Sequence, residues 1–396
     1  MASTAFASAS TSTYAPPARP TPGAGRIAGI DVLRGLVMVL MAIDHVRVYS
    51  GVPAGGPTAG LFFTRWITHF CAPAFVFFAG TAAFMYGHRL GDTRRLSRYL
   101  VSRGILLVAL ELTVIHVSWT FTLDWGFVLG GVIWMFGWCM ILMAGLVRLT
   151  PPTVGTFGII VIAAQTLMRV PAHLVPALNP LWSFLYAGGS IQLRKGGPDL
   201  EILYNIVPWI GVMAAGYGFG LILLRDPDER RRLCLRIGLG ATVAFLLVAG
   251  TLAALHGGGD NRAFIYRLLD QNKYRDSQLF LLMTLGPMIA LVPFADDVGG
   301  RVARALETFG RVPLFYYLLH IPLIHALSLI TWRLRDGAAH GERFATAPYV
   351  EFPPDQRWSL GLLYLVFAIT IVILYPVCRW YASLKARHPG GLLRFI

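Results

Sequence analysis

The chain has 396 residues, of which 56% are hydrophobic and 14% charged, and its formal net charge is +14. With a mean hydropathy of +0.60 it is far more apolar than soluble domains of this length, which argues against a soluble protein. The basic residues form short clusters between apolar runs, which argues against the continuous basic, aromatic-rich face of a nucleic-acid-binding protein.

The chain opens with residues 1–25, which are rich in Ala, Ser, Thr and Pro. They have neither the basic start nor the apolar core of a cleaved signal peptide, so we expect a disordered tail. Residues 26–385 are predicted to form one transmembrane domain, followed by a cytoplasmic tail at 386–396. The first span is then expected to direct membrane insertion.

Apolar runs of about 20 residues recur through the rest of the chain, and each is long enough to cross a bilayer as a helix. The sequence therefore predicts an all-α, polytopic bundle of about ten transmembrane helices with the lipid bilayer as its surroundings. The predicted spans are 28–49, 62–87, 98–121, 127–148, 153–172, 204–224, 231–255, 278–295, 308–332 and 359–382.

Clusters of basic residues set the expected orientation. They adjoin the spans on one side of the membrane, so the positive-inside rule predicts both termini in the cytoplasm of a cell (inner) membrane. The opposite connections, at 173–203, 256–277 and 333–358, are longer and mix both charge signs, which suits an extracytoplasmic face that could meet a substrate. The clusters are Arg26; Arg89, Arg94, Arg95 and Arg98; Arg225, Arg230, Arg231 and Arg232; Arg301, Arg304 and Arg311; and Arg379, Lys385, Arg387 and Arg394.

Some residues inside the apolar runs are interpreted as helix-packing residues. Gly216 and Gly220 form a small-xxx-small pair, which predicts the close approach of two helices. The cysteines form no CxxC pair and no disulfide framework. They are Cys71, Cys139, Cys234 and Cys378.

The first span carries ionisable residues, although a charge at bilayer depth costs about 2.5 to 3.5 kcal/mol on insertion scales. At about 100° per residue, Asp31, Arg34 and His45 fall on one helix face, which should point into the bundle. Asp31 and Arg34 form either a structural ion pair or, through Arg34, an anion-binding site.

Histidines on four predicted spans reach a similar depth in the outer half of the membrane. Each one alone is more simply explained as an interhelical hydrogen-bonding residue. His45 and His69 are the exceptions, because an Asp44–His45 dipeptide and His69 arrive at that depth from adjacent helices. The five are His45, His69, His116, His320 and His325.

A neutral imidazole near a carboxylate can take a proton from an amine or a hydroxyl while the carboxylate fixes its tautomer. The sequence thus predicts a general base at His69, assisted by His45 and Asp44, with His320 as a further catalytic candidate. No HExxH or Cys/His ligand spacing is present, so no metal is predicted. The candidates for a structural or proton-relay role are Glu111, His116 and His325.

Four segments carry a family resemblance: IDVLRGLVMVLMAIDH, THFCAPAFVFFAG, YNIVPWIGVMAAGYGFG and FGRVPLFYYLLHIPLIH. On these segments the chain resembles the heparan-alpha-glucosaminide N-acetyltransferase catalytic-domain family, part of a broader group of transmembrane acyltransferases. The similarity extends over about residues 26–385. The His-Ala-x-Trp-x-Gly segment of eukaryotic members, which carries their catalytic histidine, is missing here, so heparan as the substrate does not follow.

The resemblance implies transfer of an acetyl or other acyl group from cytoplasmic acyl-CoA to an amino or hydroxyl group. The acceptor would be a sugar or another envelope molecule at the opposite membrane face, with a bacterial-type glycan as plausible as any. Arg34, together with Asp31, would then bind the acyl donor, and the outer histidines would deprotonate the acceptor.

Two other functions are compatible with the buried ionisable residues. A proton-coupled secondary transporter would use the histidines and Glu111 as a relay around a midplane site, although no inverted repeat with broken helices is detected. A noncatalytic scaffold explains the costly buried charges poorly. The sequence leaves the oligomeric state open, a homo-oligomer included.

Overall fold

The computed structural model describes residues 28–55, 58–165, 179–194, 196–255, 262–271, 277–350 and 352–388. The predicted tail at 1–25 lies outside these residues, as does the predicted tail at 386–396 apart from 386–388. Parts of the outer connections at 173–203 and 256–277 also lie outside them.

The described part of the chain is largely helical. Irregular turns interrupt or extend some of the helices, namely 3-10 turns at Thr68–Phe70 and Gly341–Phe344 and π turns at Glu111–Ile115 and Ser183–Ala187. The helices are α1 (Ala28–Tyr49), α2 (Ala59–Ile67), α3 (Cys71–Leu90), α4 (Thr93–Leu110), α5 (His116–Thr120), α6 (Val132–Leu146), α7 (Pro151–Ala164), α8 (Asn179–Trp182), α9 (Val207–Leu223), α10 (Pro227–Leu255), α11 (Phe264–Leu269), α12 (Gln278–Ala295), α13 (Gly300–Arg311), α14 (Pro313–Asp336) and α15 (Leu360–Arg387).

Six helical segments of the described chain are long and apolar enough to cross a membrane. Three shorter apolar helices, α6, α7 and α9, accompany them. The prediction of a helical membrane protein is confirmed, while the count of about ten spans and the cytoplasmic termini stay predictions. The six segments are Ala59–Leu90, Thr93–Thr120, Pro227–Leu255, Gln278–Ala295, Pro313–Asp336 and Leu360–Arg387.

Helix α1 is absent from those six because four charged residues, Asp31, Arg34, Asp44 and Arg47, interrupt its apolar sequence. It nevertheless lies at the centre of the bundle, where it packs against α3, α12, α13, α14 and α15. Asp31 and Asp44 are buried there. The predicted first span is therefore packed against other helices, and the protein interior is where membrane helices keep their charged side chains.

The expectation of an all-α fold needs one correction, because a small three-stranded sheet lies beside the helices. Its strands are β1 (Phe127–Gly130), β2 (Gly189–Gln192) and β3 (Asp199–Ile202), in the order β1-β3-β2. Strand β3 pairs parallel to β1 and antiparallel to β2. The predicted span at 127–148 thus begins as a strand, and its helix starts only after Gly131. Hydropathy alone does not reveal the pairing partners that make Phe127–Gly130 extended.

Two predicted spans also contain a break. The span at 308–332 is divided at Val312, between α13 and α14, and α14 begins at Pro313. Proline suits the first helical position, because an N–H at that position has no acceptor within the helix, so its absence costs no hydrogen bond. The span at 62–87 contains the 3-10 turn Thr68–Phe70, which holds His69.

The predicted close approach at Gly216 and Gly220 is confirmed between α9 and α3. A Cβ added to Gly216 would lie 2.0 Å from the carbonyl oxygen of Phe77, and one added to Gly220 would lie 2.2 Å from the Phe84 ring. Only a hydrogen fits in either place, so α9 touches the backbone of α3 at Gly216 and the Phe84 side chain at Gly220.

Replacing Gly216 with alanine is expected to lower the apparent unfolding temperature of the detergent-purified protein. The added methyl group forces α9 away from α3, and such overpacking costs about 1 to 3 kcal/mol. Gly240→Ala is the matched control, because a Cβ at Gly240 in α10 meets no atom within 4 Å. Equal unfolding temperatures for the two variants would contradict the close α3–α9 contact.

Candidate active site

A large cavity of about 940 Å³ runs alongside α1. Helix α1 contributes Arg34, Met38, Met41 and His45 to its wall, and α3, α4, α6 and α14 contribute further residues. At a rise of 1.5 Å per residue, Arg34 and His45 are about 16 Å apart along the helix. The cavity therefore extends along much of the first span, and the predicted inward face of α1 lines it.

One end of the cavity is strongly basic. We call it the basic end and define it by Arg34, Arg89, Arg103, Arg311 and Lys385, which all line the cavity. The nearby carboxylates of Asp31 and Glu307 offset only part of this charge. An anionic ligand is therefore the kind that this end attracts.

The basic side chains are held in place by neighbours. Nη1 of Arg34 lies 3.5 Å from Oδ1 of Asp31, and its Nη2 donates a hydrogen bond to the carbonyl oxygen of Gly310 at 3.2 Å. Arg103 donates to the hydroxyl of Tyr99 at 3.2 Å. The predicted Asp31–Arg34 ion pair is thus present, and Arg34 still lines the cavity.

The other end carries His45, and we call it the histidine end. It is lined by His45, Trp119, Leu129, Glu201 and Tyr349. The His45 ring meets the Trp119 ring edge-on, with ring centres 5.0 Å apart. Tyr349 contacts Phe127 of β1, so the small sheet forms part of this end.

His45 and His320 form a directly bonded pair. Nδ1 of His45 and Nε2 of His320 are 2.6 Å apart, and the two rings stack with centres separated by 4.8 Å. On its far side, Nδ1 of His320 lies 2.8 Å from the carbonyl oxygen of Tyr317. His320 is completely buried and does not line the cavity, whereas His45 does.

The hydrogen-bond partners assign the tautomers of this pair. A carbonyl oxygen only accepts, so Nδ1 of His320 carries the proton and donates to Tyr317. A neutral His320 then has its lone pair on Nε2, and Nδ1 of His45 must donate to it. Nε2 of a neutral His45 is consequently unprotonated, which is the state that a general base needs.

Asp44 is held by two arginines. Nη1 of Arg65 lies 2.8 Å from each carboxylate oxygen of Asp44, and Nε of Arg47 donates to Oδ1 at 3.0 Å. Arg47 also donates to the carbonyl oxygen of Val52 at 3.0 Å. The histidine tautomer is thus set by His320 and the Tyr317 carbonyl, a role that the sequence assigned to Asp44.

Glu111 caps a helix that belongs to another part of the chain. Its Oε2 accepts hydrogen bonds from the backbone N–H groups of Ile133 and Trp134, each at 3.0 Å, at the start of α6. A carboxylate there satisfies amides that have no partner within the helix and complements the helix dipole. Glu111 therefore has a defined structural contact, in which its carboxylate caps the N-terminus of α6.

Glu111→Ala is expected to lower the apparent unfolding temperature markedly. It leaves two buried N–H groups of α6 without an acceptor, and a buried unsatisfied group costs about 1 to 3 kcal/mol. Glu111→Gln keeps an acceptor oxygen and should lose much less. If thermal unfolding in detergent gives the same temperature for the alanine variant and the native protein, the capping role is wrong.

The remaining histidines lie in separate surroundings. His69 packs edge-on against Phe280, with ring centres 5.6 Å apart, and is not among the described residues that line the cavity. Nε2 of His116 donates to the carbonyl oxygen of Asp124 at 2.8 Å. His325 lies between the rings of Tyr49 and Phe121. The structure therefore brings His45 and His320 together and leaves the other three apart.

Sequence reasoning passed over several residues of the site. Arg65 lies inside the second predicted span. Because an unpaired charge at bilayer depth is costly, its position indicates that it has an acidic partner, and the structure shows that this partner is Asp44. From the sequence, Arg89 and Arg311 are predicted only to be topology signals. Within the described ranges, no group of three His, Cys, Asp or Glu side chains could hold a metal ion.

The comparisons with known proteins give one finding. A family model described as "Heparan-alpha-glucosaminide N-acetyltransferase, catalytic" matches residues 26–268, which is more than half of the chain. The match covers α1, with Arg34 and His45, and reaches α11, whereas His320 lies beyond it. No curated protein matches the chain.

Proposed function

This chain belongs to the heparan-alpha-glucosaminide N-acetyltransferase catalytic family, and on that premise we propose that it is a membrane acyltransferase. It moves an acetyl or other acyl group from cytoplasmic acyl-CoA to an amino or hydroxyl group. The acceptor is a sugar or another envelope molecule at the outer face of the cell membrane. Nothing in the family match favours the transporter alternative.

One observation carries this proposal: the basic end and His45 line the same cavity. The phosphates of acyl-CoA are anionic, which suits Arg34, Arg103 and their neighbours. The pantetheine arm then extends past Met38 and Met41 and brings the thioester towards His45. The acceptor reaches His45 from the opposite, histidine end.

In the proposed reaction, Nε2 of His45 takes the proton of the acceptor N–H or O–H as that atom attacks the thioester carbonyl carbon. A new C–N or C–O bond forms, and the C–S bond breaks. His45 then returns the proton to the leaving thiolate, which departs as the free thiol of CoA. His320 positions His45 and stabilises its protonated form by accepting the hydrogen bond from Nδ1.

The test uses the full chain, purified in detergent and incubated with labelled acetyl-CoA and amino or hydroxyl sugars. The proposal predicts donor binding, with transfer of label to a sugar and release of free CoA. Absence of donor binding at millimolar acetyl-CoA would overturn the acyltransferase assignment.

A further inference from the structure

Glu201 occupies the centre of the small sheet at the histidine end. It lies on the middle strand, β3, where Leu129 of β1 and Ser190 of β2 are its register partners. Glu201 and the four residues after it line the cavity, and so does Leu129 on β1. The sheet therefore places a carboxylate beside the wall that leads to His45.

The sheet is connected to the candidate base through neighbouring contacts. Trp119, whose ring meets the His45 ring, is the second-last residue of α5, and the loop after α5 leads into β1. Tyr349 approaches the same strand through its contact with Phe127. Glu201, Trp119 and Tyr349 therefore surround the end of the cavity from which the acceptor would reach His45.

The other carboxylates of this cavity are already committed to protein groups. Asp31 pairs with Arg34, Asp44 is bound by Arg65 and Arg47, and Glu111 accepts from the amides of α6. Glu201 hydrogen-bonds the hydroxyl of Ser190, and no arginine or lysine of the described chain forms an ion pair with it. Partial burial raises the pKa of Glu201 above its ordinary value because the carboxylate has lost part of its water.

The two ends of the cavity thus differ in charge. The basic end carries five cationic side chains. At the histidine end, Arg47 also lines the cavity but is paired with Asp44, whereas Glu201 has no cationic partner in the described chain. A carboxylate accepts hydrogen bonds and attracts cations, but it repels a second anion. The aromatic rings of Trp119 and Tyr349, which line the same cavity, suit the apolar face of a sugar.

We propose that Glu201 binds and orients the acceptor, and that it selects cationic and neutral sugars against anionic ones. Its oxygens accept hydrogen bonds from N–H or O–H groups of the sugar next to the group that reacts at His45. This inference rests on the proposed acyltransferase function, because it assigns the acceptor end of the same cavity.

The test compares the native chain with Glu201→Gln, using glucosamine as a cationic probe, glucose as a neutral one and glucuronate as an anionic one. Binding of each sugar is measured by calorimetry on the detergent-purified protein. The native chain should bind glucosamine most tightly and glucuronate most weakly. Glu201→Gln should weaken glucosamine binding about tenfold to a hundredfold, as expected for a lost bond to a charged group, and reduce the bias against glucuronate.

Asp199→Asn is the matched control. Asp199 lies on the same strand and the substitution removes the same charge, but Asp199 does not line the cavity. It should leave the order of the three sugars unchanged, and Glu201→Asp should restore part of the preference for glucosamine. Unchanged glucosamine affinity in Glu201→Gln, or an equal loss in Asp199→Asn, would overturn the proposal.

Donor binding separates this inference from the proposed function. Glu201→Gln should bind acetyl-CoA as the native chain does, because Glu201 lies at the end away from the basic residues. A native chain that binds acetyl-CoA but none of the three sugars overturns the role of Glu201 alone. A native chain that shows the sugar preference but binds no acetyl-CoA overturns the acyltransferase assignment instead.

Discussion

Replacing His45 with glutamine is expected to reduce the rate of acyl transfer about 10²- to 10⁴-fold, the usual contribution of a general base. Glutamine is of similar size but takes up no proton. The affinity for acetyl-CoA should change little, because the phosphates lie at the basic end. The measurement is kcat for labelled transfer together with the Kd for acetyl-CoA on the same preparation.

The matched variant His69→Gln tests whether the general base is His45 or His69. Both residues are histidines in the outer half of their predicted spans, but His45 lines the cavity and His69 packs against Phe280. We expect His69→Gln to retain transfer within a few-fold of the native rate. Loss of transfer in His69→Gln, with transfer retained in His45→Gln, would move the base to His69.

Replacing Arg34 with glutamine is expected to weaken acetyl-CoA binding about tenfold to a hundredfold. A hydrogen bond to a charged group is worth about 1.5 to 3 kcal/mol, and about 1.4 kcal/mol corresponds to a factor of ten. The affinity of the native protein should also fall as the salt concentration rises, since salt screens the attraction between charges. Both effects are read from the Kd for acetyl-CoA.

Two further variants make this result interpretable. Arg34 also bonds Asp31 and Gly310, so its loss disturbs the protein itself; Arg103→Gln removes a second cation of the basic end and should weaken binding similarly. Arg95→Gln removes an exposed arginine that pairs with Asp92 and does not line the cavity, and it should leave the Kd unchanged. Equal affinities in all three variants would contradict phosphate binding at the basic end.

Much of the helical architecture could be predicted because membrane-spanning helices are apolar over about 20 residues, a property that hydropathy measures directly. The small sheet could not. Strand β1 is only four residues long and adjoins an apolar helix, and its partner β3 is distant in sequence. Short apolar runs do not distinguish strand from helix, so the sequence predicts a helix for the run that starts at Phe127.

The candidate site could be predicted in part, because depth along a helix follows from residue number. Depth placed Arg34 at one end of α1 and His45 at the other. Whether a side chain reaches the cavity depends on the packing of neighbouring helices, which the sequence does not give. For that reason the predicted depth does not distinguish His69 from His45. In the structure, only His45 of the two lines the cavity and bonds His320.

The pairing of Asp44 shows a second reason for an incomplete prediction. Its sequence neighbour His45 made it a plausible orienting carboxylate, but charge attraction acts across helices as well as along the chain. Arg65 and Arg47 both lie within hydrogen-bond distance of Asp44. Charged residues inside predicted spans are therefore best considered together before a role is given to one of them.

The most direct test of the central claim is acyl transfer across a sealed membrane. The protein is reconstituted into vesicles with glucosamine trapped inside and labelled acetyl-CoA supplied only outside, and molecules with their basic end outward are the active population. The account predicts labelled N-acetylglucosamine inside the vesicles, and none with His45→Gln. Label that appears only when donor and acceptor share one side would contradict a single cavity that joins a donor end to an acceptor end.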